Sequence, residues 1–213
     1  MKRIFLLCLL QAFSVLAFAD QVALTGWTGG TVSSGGIRQR AGWFFDIGGS
    51  GVNVTALGVG DYDNDGLGFS HDVGIFRVSD QALLASATVP AGTGTTLLSA
   101  FRYATLSSAI NLAPGSYVII MTVPTRNRDF QTYTVDSGSI TTASPVTYVN
   151  STVEVGSGLR YPSTECTSCE KNGVFGPNFQ FVVPTTGVPE PSAALWIASG
   201  VAVAVLLRRR HRA

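Results

Sequence analysis

The chain has 213 residues, with 14 basic and 13 acidic side chains and a formal net charge of +1. That length holds one domain plus flanking segments, and the absence of a Lys/Arg-rich stripe argues against nucleic acid as a partner. Two histidines and three cysteines leave little material for metal centres or nucleophilic catalysis.

In chain order, residues 1–19 read as a secretory signal peptide. Lys2 and Arg3 form its positive start, residues 4–16 are almost wholly apolar, and Ala17-Phe18-Ala19 places small residues where cleavage before Asp20 needs them. Val22-Ala23-Leu24 predicts a short edge strand, and Gly29-Gly30 and Gly35-Gly36 a loose leading loop. Trp43-Phe44-Phe45-Asp46-Ile47 predicts a strand, Gly48-Gly49-Ser50-Gly51 a turn, and Val52, Val54, Ala56 and Val59 a half-buried strand of near period two. Residues 60–72 form a polar, acidic loop.

Residues 73–78 and 82–89 predict a hairpin around Ser79-Asp80-Gln81. Residues 101–106 alternate, Pro114-Gly115 marks a turn, and residues 117–123 make the most apolar strand. Further strands are expected at 130–135, 146–155 and 179–183, with an irregular stretch at 159–176 that holds Cys166 and Cys169. The reading gives about nine or ten short strands, no amphipathic helix before residue 192, and no internal repeat. The expected fold is all-β: an antiparallel, jelly-roll-like β-sandwich over residues 20–184.

The C-terminal end has three parts. Val188-Pro189-Glu190-Pro191 belongs to an extended linker, 185–191, because two prolines fix φ and remove donors. Residues 192–207 carry no charge and predict one transmembrane helix, about 24 Å long against a hydrocarbon core of ~30 Å. Arg208, Arg209, Arg210 and Arg212, in the tail 208–213, hold that end in the cytoplasm. Six basic residues and one acidic residue lie in the end segments, so residues 20–187 keep 8 basic against 12 acidic. Such a domain suits a cation or a neutral sugar surface.

The sharpest chemical pattern is the loop beginning at Asp61. Asp61, Asp63 and Asp65 fall at positions one, three and five of an oxygen-ligand calcium loop, and Gly66 allows the sharp turn at six. The Leu67 carbonyl stands at seven, and Asp72 at twelve in place of the usual glutamate. The flanks predict strands and not the helices of an EF-hand. The competing reading is a solvated Asp/Asn/Gly turn. Cys166 and Cys169, the pair left after signal cleavage, read as a local disulfide; redox and zinc readings lack a helix and further ligands. His71 could serve a hydrolase, Glu154, Glu165 and Glu170 could pair for glycoside chemistry, and Trp27, Tyr133, Tyr148 and Tyr161 could stack on sugars.

Two resemblances follow. Val188-Pro189-Glu190-Pro191, the apolar run and the terminal arginines resemble the PEP-CTERM sorting signal, also catalogued as an ice-binding-protein C-terminal domain. That resemblance implies export, transient anchoring in the inner membrane and processing by exosortase in bacteria that make exopolysaccharide. No regular Thr-x-Thr array of an ice-matching face accompanies it. Asp65-Gly66-Leu67, Ser70-His71-Asp72-Val73-Gly74-Ile75, Leu83-Leu84-Ala85-Ser86-Ala87-Thr88-Val89, Phe101-Arg102-Tyr103 and Leu112-Ala113-Pro114-Gly115-Ser116-Tyr117-Val118-Ile119 resemble a β-sandwich domain of unknown function from sorted bacterial surface proteins. That likeness spans roughly residues 40–135 and implies a fold and a setting but no reaction. The expected function is a surface or matrix protein without enzymatic activity; the alternatives are a calcium-dependent carbohydrate-binding module and, further off, a hydrolase.

Overall fold

A computed structural model describes residues 20–28, 31–34, 37–125, 130–134, 140–163 and 174–184. The signal peptide, Cys166, Cys169, the Val188–Pro191 motif, the apolar run and the arginine tail lie outside the described residues. Every regular element among the described residues is a strand: β1 Gln21–Val22, β2 Leu24–Trp27, β3 Thr31–Ser34, β4 Gln39–Ile47, β5 Val52–Gly60, β6 His71–Arg77, β7 Leu83–Val89, β8 Thr96–Leu98, β9 Phe101–Leu112, β10 Gly115–Val123, β11 Phe130–Thr134, β12 Ile140–Thr142, β13 Val146–Val155, β14 Val174–Phe175 and β15 Pro177–Val182. A chain rich in Gly, Ser, Thr and Val favours the pleated state over the helix.

All pairings are antiparallel. One principal sheet runs β1-β15-β5-β9-β8 and the other β13-β4-β10-β6-β7, with smaller sheets β14-β11-β3 and β12-β2. The predicted hairpin is present as β6–β7, and the exposed Arg77 binds Asp80 in its turn through two hydrogen bonds of 2.9 and 2.7 Å. The Ala113-Pro114 link is not a hairpin turn: it carries the chain from β9 in the first sheet to β10 in the second. A two-residue turn, Ser99 (φ 51°) and Ala100 (φ 62°), joins β8 to β9. Two left-handed residues match the twist of a tight hairpin, although Asn-Gly fills this turn with less strain.

The two principal sheets share one apolar core. Ala41, Trp43, Phe45 and Ile47 alternate along β4 and meet Leu57, Phe179 and Phe181 from the other sheet. The Trp43 ring stacks on Phe179 at 6.0 Å, Phe45 meets the same ring at 4.9 Å, and Trp43 Nε1 donates to the Pro177 carbonyl at 2.8 Å. Aromatic pairs at this spacing add to simple area burial.

The second sheet is also covered on its outer face. Phe44, Phe76, Val118 and Ile120 form a separate buried cluster, with Leu159 and Tyr161 packed on it. Residues 156–163 therefore act as a strap across β4, β10 and β6. Gly74 makes room for it, since a Cβ there would lie 2.7 Å from Leu159 Cδ2. Glu154 and Arg40 pin the strap. Arg40 donates to Glu154 at 2.7 Å and to the Ser157 carbonyl at 3.1 Å, and Ser163 Oγ donates to Glu154 at 2.8 Å. β9 carries a bulge: Ile110 pairs with Val54 and Thr105 with Ala56, so residues 106–109 arch away from β5.

Candidate functional site

The chain leaves β5 at Gly60 and turns back through Asn64 (φ 63°) and Gly66 (φ 107°). This reversal brings the carboxylates of Asp61, Asp63 and Asp65 together, with ligand atoms all within 4.8 Å of one another. The three residues are not equivalent. Asp63 and Asp65 are exposed, whereas Asp61 is 3% exposed. A buried carboxylate needs a partner, and Asp61 has one. Arg102 of β9, itself buried, places Nε 2.5 Å from Asp61 Oδ2. The Gly66 N–H points at both carboxylate oxygens, at 3.3 and 3.2 Å. Arg102 Nη1 also donates to the Thr93 and Thr95 carbonyls, at 3.1 and 3.2 Å. The Asp61 N–H bonds the Ala100 carbonyl at 2.9 Å.

The other two residues expected at the calcium loop are engaged elsewhere. Leu67 is buried, and its carbonyl accepts the Gly92 N–H at 2.6 Å while its own N–H donates to Gly92 O at 3.2 Å. The loop also ends earlier than expected. β6 begins at His71, so Asp72 is a strand residue opposite Thr88 of β7, whose hydroxyl donates to its Oδ1 at 2.7 Å. The Asp72 N–H donates to Thr122 Oγ1 at 3.0 Å. Calcium takes six to eight oxygens. The loop brings three carboxylates together, one already neutralised by a cation, and the arrangement fits a structural clamp better than a cage. The clamp ties the Asp61 loop to the 92–100 segment.

The residue that sequence reasoning missed is Arg102. Its signal was available: it is the single charged side chain in β9. Such a residue in an otherwise uncharged strand asks for an opposite charge, and the nearest acidic run is 61–65.

The remaining candidates are structural in their placement. His71 is fully buried, with Nδ1 2.8 Å from the Thr122 carbonyl. Glu154 is the partner of Arg40 in the strap, and Glu165 and Glu170 lie outside the described residues. Trp27 packs edge-on to Tyr62 at 5.5 Å and stacks with Phe175 at 6.0 Å. Half-buried Tyr148 meets Phe175 at 5.6 Å and shares a hydrogen bond with Ser151 Oγ at 2.9 Å. Tyr161 covers Phe76 edge-on at 6.2 Å. These three rings fill packing sites and form no exposed stacking platform; the Tyr133 side chain lies outside the described ones.

Comparison with protein-family models and with curated proteins finds no match, so the two resemblances stand on their residues alone.

Proposed function

We propose that this chain is an exported, non-enzymatic surface or extracellular-matrix protein, sorted at its C-terminus and held in or released to an exopolysaccharide layer. The observation that carries the reading is the ordered tail: Val188-Pro189-Glu190-Pro191, an uncharged run of 16 residues, then Arg208, Arg209, Arg210 and Arg212, behind a signal-like N-terminus. The secretion machinery and exosortase are its processing partners, and the inner membrane is a transient anchor. An all-β domain whose buried charges form internal pairs, Arg40 with Glu154 and Arg102 with Asp61, supports a structural role. Mass spectrometry of the protein from its own cells is expected to find neither residues 1–19 nor the arginine tail. An intact C-terminus beside an active exosortase would sink the sorting reading.

The strand order supports a jelly-roll sandwich for the domain. Taken in sequence, β1, β4, β5, β6, β7, β9, β10 and β15 divide as β1-β15-β5-β9 and β4-β10-β6-β7. This is the pairing that two interleaved Greek keys produce. β13 is then an extra strand on the outer edge beside β4.

Calcium-dependent carbohydrate binding is the second reading, favoured by the convergence of Asp61, Asp63 and Asp65. Arg102 already balances Asp61, so calcium titration is expected to give no saturable heat and no rise in melting temperature. Saturable heat that disappears in Asp63→Asn would put the second reading first.

A further inference from the structure

We propose that the cleft between the strap and the adjoining ends of β4, β6 and β10 binds one unit of a neutral sugar chain, without calcium. The cleft is open to solvent and holds about 230 Å³. Sites for drug-sized ligands run to about 300–1,000 Å³, so this one is matched to a single ring, with neighbouring units leaving through the open side. Its polar side chains include Arg38, Asp72, Ser70, Thr122 and Ser157. Arg38 and Asp72 are both exposed, and neither enters an ion pair among the described residues. A guanidinium and a carboxylate that line one cleft without neutralising each other leave donors and an acceptor for a guest.

The lining sets other guests aside in turn. A single carboxylate beside a guanidinium is no cage for calcium, which takes six to eight oxygens. Asp72 opposes a bound anion, and the 12 acidic against 8 basic residues of 20–187 add to that opposition. Among the described residues of the lining, only Val123 and Pro124 are apolar side chains, too few for an apolar guest. Sugar hydroxyls both donate and accept. Asp72 can accept from them, Arg38 can donate to them, and the hydroxyls of Ser70, Thr122 and Ser157 can do either.

These walls are held in place by the fold itself. The Thr88 hydroxyl donates to Asp72 Oδ1 at 2.7 Å and leaves Oδ2 for the guest. The Asp72 N–H donates to Thr122 Oγ1 at 3.0 Å, and the Ala91 N–H to Ser70 Oγ at 3.2 Å. Arg40 holds the Ser157 carbonyl at 3.1 Å. Gly156 lets the strap close on that guanidinium, since a Cβ there would lie 2.8 Å from Arg40 Nη1. A site held this way pays little ordering cost on binding. It also faces the right way. β15 ends at Val182, opposite Asn53, at the end of the sandwich where β4 turns into β5. The cleft lies at the other end, where Gln39 pairs with Val123, so a chain anchored by its C-terminus presents it outward.

The proposal rests on the reading that the chain enters an exopolysaccharide layer. Its test is saturation-transfer NMR on the full chain in mild detergent, with and without EDTA, against neutral gluco-, galacto- and mannotrioses and against trigalacturonate. A neutral trisaccharide is expected to give saturable transfer with a dissociation constant of about 1 mM, the strength of a few hydrogen bonds without a stacked ring. Trigalacturonate should give none, and EDTA should change nothing. Asp72→Asn keeps the oxygen that Thr88 holds, and Arg38→Gln alters an exposed side chain. Both should leave the melting temperature unchanged while weakening binding by about tenfold or more. Silence from all three neutral sugars, a preference for trigalacturonate, or binding that survives both variants would overturn the site. Binding lost in EDTA would also overturn it, and would move the sugar to the Asp61 loop. Trimmed termini with silent sugars would remove this site alone, whereas intact termini with saturable binding would remove the sorting reading alone.

Discussion

Replacing Arg102 by alanine is expected to destabilise the domain by about 3–5 kcal/mol, the range for removing one member of a buried ion pair. Both side chains are withdrawn from water, at 5% and 1% exposure. Without the guanidinium, the Asp61 carboxylate keeps, among the described residues, only the Gly66 N–H, and the Thr93 and Thr95 carbonyls lose their shared donor. The midpoint of thermal unfolding should fall by about 6–20 °C at the usual sensitivity for a domain of this size. The double variant Asp61→Asn/Arg102→Met should recover much of the loss, because the penalty lies in an uncompensated charge more than in a lost attraction. Arg77→Ala is the internal control. Its pair with Asp80 is close to half exposed, where solvent and salt screen the interaction. Equal losses from Arg77→Ala and Arg102→Ala would remove the special standing of the clamp.

Alkali should unfold the domain steeply, and Tyr103 is the main reason. Its ring lies on Gly58 of β5, filling the space a Cβ would occupy, with Tyr103 Cδ1 only 2.5 Å from that position. The residue is 3% exposed, and among the described residues its hydroxyl has no hydrogen-bond partner. Burial therefore pushes the phenol far above its ordinary range. Burial also raises Tyr148, against an opposing hydrogen bond from Ser151, and Tyr117. The sign follows from proton binding. Below about pH 10 both states keep the phenol proton, and stability is unaffected. Above it the unfolded chain releases the proton and the folded chain does not. Stability then falls by about 1.4 kcal/mol per pH unit for Tyr103 alone, or about 2.7 kcal/mol by pH 12. Tyr103→Phe should be about 1 kcal/mol more stable at neutral pH, since it removes an unsatisfied buried hydroxyl. Its alkaline decline should also be shallower. Denaturant titrations at pH 7 and pH 11 measure both effects, and parallel curves for the two proteins would refute the assignment.

β5, β9 and β15 were legible because their near period-two alternation marks the face that enters the core, and β4 was legible as an aromatic run, with Trp43 and Phe45 in the shared core and Phe44 in the outer cluster. β10 was legible for the opposite reason. It is buried on both faces, by the shared core and by the strap, so it reads as an unbroken apolar run. The strap itself was illegible: Leu159 and Tyr161 are isolated apolar residues among Gly, Ser and Pro, and only the cluster beneath them gives them a role. The small strands β1, β3, β8, β12 and β14 are too short to carry a period. At the candidate site, the spacing of Asp61, Asp63 and Asp65 predicted convergence. It could not reveal that Arg102, 41 positions away, had taken one of the three. Asp72 and Leu67 counted as ligands only while the loop was assumed to run through residue 72. Hydrogen bonds to Thr88 and Gly92 are long-range facts with no local signature.

The position of β15 has a consequence for timing. It lies between β1 and β5, and its Phe181 faces Gln21 across 160 positions of chain. Until residues 177–182 arrive, β1 has no neighbour and β5 has an open flank. Contacts of such separation form late, because the closure entropy must be met before they reward it. β15 ends at Val182, ten positions before the apolar run starts at Ser192. On the export reading, the domain stays loose enough to thread through a narrow channel for most of its passage. It can lock only as its address segment reaches the membrane, so maturation of the fold and arrival of the signal for release become nearly the same event.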